Sequence, residues 1–163
     1  MKKISLILAF IGMIMLQSCS HDNTDNDTIS EVFEYTNVNF LPSDYSVVLT
    51  YPHSISSSNM VLVYRLSGSF QGEDIWKLLP ETYYFDDGTL DLRYDYDFTR
   101  FDSELHLEGF DLAGVSDAYK ANQIFRVVVI PGYLNKSNTV NFEDYKAVVR
   151  AYNIVENKII KVQ

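Results

Sequence analysis

The chain has 163 residues and a mass of 18.8 kDa, enough for one domain and cramped for two, since domains usually run to roughly 100–200 residues. At 47% hydrophobic and 14% aromatic it carries too much apolar material for a disordered or collagen-like chain, and should fold around a core. Its 13 Lys and Arg against 22 Asp and Glu give a net charge of −9, which repels a nucleic-acid backbone, and its single cysteine excludes intramolecular disulfides, four-cysteine zinc sites and CxxC redox chemistry.

Lys2 and Lys3 precede an apolar run of 13 residues, Ile4 to Leu16, which is shorter than the ~20 residues needed to span a bilayer and has the layout of a secretory signal peptide over 1–18. The run ends in Leu16-Gln17-Ser18-Cys19. This resembles the lipobox of bacterial lipoproteins: an aliphatic residue three places before an obligatory cysteine, with a small residue just before it. The resemblance implies cleavage before Cys19 and acylation of its thiol as a diacylglyceryl thioether, with a further N-acyl chain. A multiple attachment of that kind anchors stably where one acyl chain would not. Removing 18 residues, two of them lysines, would leave 145 residues with 11 basic and 22 acidic side chains, a net charge of −11. Residues 19–30 hold Asp22, Asp25 and Asp27 and almost nothing apolar, and are expected to be the lipidated cysteine and a solvated tether, with a single β-rich domain over 31–163. An acidic tract directly after the cysteine resembles the surface-export signal of Bacteroidota lipoproteins, which implies the outer membrane, facing outward.

From Tyr45 onward the dominant periodicity is two, the mark of strands. Tyr45 to Tyr51 and Asn59 to Leu66 predict strands separated by Pro52 and a serine-rich turn, and Gly68 and Gly72 bracket a loop leading to a strand at Ile75 to Leu79. Tyr83-Tyr84-Phe85 and Thr89-Leu90 flank Asp87-Gly88, which suits a tight hairpin needing positive φ. Leu90, Leu92, Tyr94, Tyr96 and Phe98 then share one face and Asp91, Arg93, Asp95 and Asp97 the other. Phe101, Ser103, Leu105 and Leu107 alternate in the same way with Asp102, Glu104, His106 and Glu108. Residues 111–122 predict a loop with at most one helical turn. Ile124 to Ile130, apolar except for Arg126, predicts a central strand buried on both faces. Phe142, Tyr145, Val148, Val149 and Tyr152 recur at helical spacing, predicting one helix over 142–152 capped by Asn141. The expected fold is mainly β: an antiparallel β-sandwich of the immunoglobulin-like class with one short C-terminal helix.

No catalytic constellation is visible. A nucleophile needs a base and an orienting carboxylate, but the lone cysteine sits in the lipobox and the histidines are only His21, His53 and His106. Neither Gly-x-Ser-x-Gly, a Walker loop nor a Gly-x-Gly-x-x-Gly fingerprint occurs, so no enzyme activity and no cofactor are expected. No histidine pair at ligand spacing supports a metal. Same-face strand neighbours, about 6.6 Å apart, would need cross-strand help to make Asp91, Asp95 and Asp97 hold a cation. Most of the 12 Tyr and 10 Phe fall in the apolar phase of their strands; Trp76, Tyr133, Tyr119 and Phe70 are the rings whose loop or edge placement allows the exposure that stacking on a sugar needs.

The lipobox and tether, with Val61-Leu62-Val63-Tyr64-Arg65-Leu66, Trp76-Lys77-Leu78-Leu79-Pro80, Tyr83-Tyr84-Phe85, Asp97-Phe98-Thr99, Phe125-Arg126-Val127-Val128-Val129 and Phe142-Glu143-Asp144-Tyr145, resemble short flavobacterial surface lipoproteins along nearly the whole chain. That group brings no activity with it, and Cys19 is the one functional residue the resemblance carries over. Some such chains bear the name dihydrolipoamide dehydrogenase. The dinucleotide fingerprint and redox-active cysteine pair which that family needs are both missing here. The expected role is that of a surface-anchored, non-catalytic lipoprotein whose partners are the membrane, through its lipid, and another surface protein or a glycan. A carbohydrate-binding module using Trp76, Tyr133 and Tyr119 is the alternative.

Overall fold

The computed structural model describes residues 29–134 and 140–162. The expected leader over 1–18, Cys19 and the tether as far as residue 28 lie outside the described residues.

Two sheets carry the fold. Glu31–Val38 (β1), Met60–Phe70 (β3), Glu73–Leu78 (β4), Gln123–Ile130 (β8) and Ile160–Val162 (β9) form the first, in the order β4-β3-β8-β1-β9. Ser46–Thr50 (β2), Glu81–Tyr84 (β5), Leu90–Phe98 (β6) and Asp102–Gly109 (β7) form the second, in the order β2-β7-β6-β5. Every pairing is antiparallel except β1 with β9, which is parallel. Phe33, Val61, Val63, Phe125 and Val127 of one sheet share a buried core with Leu49, Leu92, Tyr94, Leu105 and Leu107 of the other. The protein is therefore a mainly β, predominantly antiparallel sandwich, with a short helix near its C-terminus.

Central β8 is buried on both faces, as its apolar run predicts, because the first sheet is covered on its outer side as well. There Val32, Leu62, Tyr64, Val128 and Ile130 pack under Tyr145 and Val148 of a helix, and under Tyr152 and Ile154 beyond it. A helix this short does not persist alone in water. It forms because that row of side chains buries it, each fully buried aliphatic one contributing about 1.5–3 kcal/mol.

The structure corrects several local expectations. The C-terminal helix spans Tyr145–Ala151 (α2) and not 142–152, with Asp144 as its cap, accepting from the Ala147 N–H at 3.1 Å. The expected cap, Asn141, instead turns the chain before the helix: its side chain accepts from the Glu143 N–H and its carbonyl from the Asp144 N–H. The region 111–122 does contain one helical turn, Asp117–Lys120 (α1), capped by Ser116. The expected loop between Gly68 and Gly72 is a hairpin in which Phe70 pairs with Glu73 across two residues, Gln71 (φ 53°) and Gly72 (φ 82°). Both have positive φ, as a type I′ turn requires. At Asp87-Gly88 only Gly88 has positive φ, 83°, and the Phe85 N–H bonds the Thr89 carbonyl around a three-residue loop.

Candidate functional site

Trp76 lies on β4, half-buried, beside a cleft of about 430 Å³ between that strand and α2. Arg126 projects from the outer face of β8 and lays its guanidinium 4.1 Å from the centre of the Trp76 ring and 5.2 Å from that of Tyr145. The guanidinium is fixed by Glu34 of β1, whose Oε2 accepts from both Nε and Nη2 at 2.9 Å, and by the Tyr145 hydroxyl at 3.0 Å; Glu156 stands 3.7 Å away. One face of the indole is thus occupied by a cation, and the ring lies 5.7 Å from that of Tyr145, tilted by 41°. Burial, foremost, raises the Tyr145 phenol above its ordinary range, so it stays protonated and able to hydrogen-bond here. The single charged residue of β8 is explained: Arg126 tethers strand, helix and edge, and makes Trp76 part of a stack and not a bare platform.

The other two expected stacking rings stand elsewhere. Tyr119 of α1 is half-buried, packs edge-on against Tyr83 at 5.5 Å, and accepts the Tyr94 hydroxyl on its carbonyl at 2.6 Å. Tyr133 sits in the 3₁₀ turn Gly132–Leu134 and is exposed. Trp76 lines the cleft beside α2 and Tyr119 a cavity at the far end of the other sheet, so the two do not build a common surface. Phe70, at the β3–β4 hairpin tip, is exposed.

Sequence reasoning missed the rings that do cluster. Phe85 and Phe110 meet edge to face at 6.4 Å and 87°, with Phe110 84% exposed and Tyr84 and Leu90 exposed nearby in the same hairpin. Phe85 also lines a cavity of about 310 Å³, together with Asp91, Asp111, Ser116 and Tyr119. Phe110 is brought there by Gly109: the Phe110 N–H bonds the Asp91 carbonyl at 3.1 Å, and a Cβ on Gly109 would lie 2.6 Å from that same oxygen. The signal was present in the sequence. Phe110 falls in the polar phase of β7, after Asp102, Glu104, His106 and Glu108, where a large apolar ring faces water.

On the outer face of the second sheet, Asp97, Glu104 and His106 bring one donor atom each within 4.8 Å of one another. As for catalysis, His53 pairs with Glu31 at 3.2 Å and His106 with Asp97 at 3.3 Å, and among the described residues neither imidazole is hydrogen-bonded to a serine hydroxyl. The buried Tyr51–Ser103 pair, at 2.6 Å, is hydrogen-bonded to neither His53 nor His106. Inside the sandwich, Arg65 is satisfied by Glu81, Gln123 and the Tyr83 hydroxyl and lies over the Tyr94 ring, an arrangement that closes one end of the core.

Comparison with known protein families, curated proteins and solved structures gives no match for this chain.

Proposed function

We propose that this chain is a lipoprotein anchored through Cys19 to a bacterial outer membrane, its sandwich presented at the surface as a non-catalytic interaction module. One observation carries the reading: the only cysteine ends a lipobox-like Leu16-Gln17-Ser18-Cys19, and among the described residues the first strand opens at Glu31, with residues 20–30 between the two in sequence. Among the described residues no helix is long and apolar enough to cross a membrane, and anchoring falls to the acyl chains, whose multiple attachment makes it stable. The test is metabolic labelling with a radioactive fatty acid, followed by fractionation of membranes. The wild type should be labelled and sediment with the outer membrane, and Cys19→Ala should accumulate as unlabelled precursor. A wild-type protein without label overturns the reading.

A second reading, a carbohydrate-binding module, is favoured by the exposed Phe85 and Phe110 pair rather than by Trp76 or Tyr133. Exposed rings offer apolar faces to a sugar, and Asp91 and Asp111 in the adjoining cavity offer acceptors to its hydroxyls. Phe110→Ala removes a ring that is 84% exposed. It should leave the melting temperature in place while weakening binding on a glycan array about five- to tenfold, the equivalent of roughly 1 kcal/mol. A blank array with the wild-type protein disposes of this reading and leaves the first untouched.

A further inference from the structure

We infer that the outer face of the second sheet holds a divalent transition-metal site, best suited to zinc, with Asp97, Glu104 and His106 as its ligands. The register makes the site. Asp97 of β6 stands directly opposite Glu104 of β7, and His106, two residues on along the same face of β7, stands diagonal to Asp97. Cross-strand partners and diagonal neighbours are close enough for long side chains to converge, which supplies what a single strand with same-face residues about 6.6 Å apart does not. His106 Nε2 and Asp97 Oδ2 are 3.3 Å apart. Two ligand atoms bound tetrahedrally at the usual 2.0–2.1 Å from one zinc ion lie about 3.3–3.4 Å from each other. That edge of the polyhedron therefore exists already, and rotation of the flexible Glu104 side chain brings in the third donor from within 4.8 Å.

The charge arrangement points the same way. Two carboxylates directly opposite each other across strands repel, and here among the described residues neither Asp97 nor Glu104 meets a Lys or Arg. The one guanidinium on this part of the face, Arg93, is taken by Asp95. A cation between Asp97 and Glu104 turns that repulsion into attraction. The donor set chooses the metal: an imidazole nitrogen with two carboxylate oxygens suits zinc and its transition-metal neighbours, whereas calcium takes oxygen alone. Three protein ligands leave a fourth position for water or for a donor from a partner.

The experiment is calorimetric titration of the purified full chain in detergent with zinc chloride, and then with calcium chloride. The site predicts one saturable zinc equivalent that His106→Ala and Glu104→Gln each weaken about tenfold or more, as losing a ligand should when loss of even an outer hydrogen-bond partner commonly costs 10–100-fold. Glu108→Gln, a carboxylate on the same strand and face but outside the set, and His21→Ala, which removes the leader-proximal histidine, should both bind as the wild type does. Asp97→Asn, nearly isosteric, checks the third ligand, and melting curves without zinc should coincide for all variants because these side chains lie on the sheet's outer face. Cobalt in place of zinc should give the intense visible bands of a four-coordinate site that His106→Ala abolishes. Absence of a saturable zinc equivalent, equal weakening by Glu108→Gln and Glu104→Gln, retention of binding in His106→Ala, or calcium binding as tight as zinc each overturns the assignment.

Discussion

Glu34→Ala is the sharpest perturbation of the fold. Glu34 is 8% exposed on β1 and its Oε2 accepts from two nitrogens of Arg126 at 2.9 Å, while Lys161 lies 3.7 Å from its other oxygen. Removing one partner of a buried ion pair typically costs about 3–5 kcal/mol, because the remaining charge stays buried without compensation. Here part of that is recovered, since Arg126 keeps the Tyr145 hydroxyl, Glu156 at 3.7 Å and two ring faces; the expected loss is about 2–4 kcal/mol. A domain of this size shifts its melting temperature by roughly 3–5 °C per kcal/mol, so a drop of about 10 °C is expected. Urea unfolding followed by fluorescence of Trp76, the chain's single tryptophan, reports on the stack itself. The double variant Glu34→Leu, Arg126→Met should regain most of the loss, as apolar replacement of buried pairs commonly does. If Glu34→Ala costs less than about 1 kcal/mol, or the double variant is less stable than either single one, the pair does not tie strand to helix as described.

Gly109→Ala should destabilise by about 1–3 kcal/mol through crowding, because its Cβ would fall 2.6 Å from the Asp91 carbonyl and 2.8 Å from Leu112 Cδ2; a melting curve superimposable on the wild type would refute the close approach that sets Phe110. Alkali should unfold the protein. Burial, foremost, raises the phenols of Tyr51 and Tyr83 to about 12, so the folded chain holds their protons where the unfolded chain, with pKa about 10, releases them. Stability is thus unaffected below pH about 10 and falls as pH rises from there towards about 12, which phenolate absorbance measured beside circular dichroism tests; free titration of all tyrosines near 10 with the fold intact would contradict it.

The fold class was legible because most strands keep strict alternation, and Leu90 to Phe98 coincides with β6 from end to end. What escaped has physical causes. β1 shows no clean alternation: Val32 to Tyr35 is buried on both faces, with the charge of Glu34 neutralised by Arg126 from another strand. β9 is three residues long and is defined only by parallel pairing with β1 from the opposite end of the described chain. The helix start shifted because Asn141 and Asp144 are both good caps, and only packing of Tyr145 over Tyr64 and Arg126 selects between them. Candidate residues fared less evenly. Trp76 was placed beside a cleft by its edge strand, but its cation partner sits fifty residues away in sequence. The Asp97, Glu104 and His106 set needed a register between β6 and β7 that alternation alone leaves free to slip.

The two outer faces of the sandwich are unequal, and the inequality bears on where a partner can act. The first sheet's outer face is spent on the fold: α2, Tyr152 and Ile154 cover its apolar row, and Arg126, Glu34 and Trp76 close the charged end. Among the described residues the second sheet's outer face has no such cover. Asp91, Arg93, Asp95 and Asp97 stand there beside Glu104, His106 and Glu108, with the exposed rings of Phe85 and Phe110 at one end and Phe101 at the other. An acidic strip between apolar ends adds little to stability, since exposed ion pairs contribute about 0–1 kcal/mol and exposed rings bury almost nothing. Folding alone would tolerate Ser or Thr at those positions, so substitutions on this face test the proposed cation and ring contacts without first unfolding the domain, whereas substitutions on the other face, as at Glu34, report on the fold.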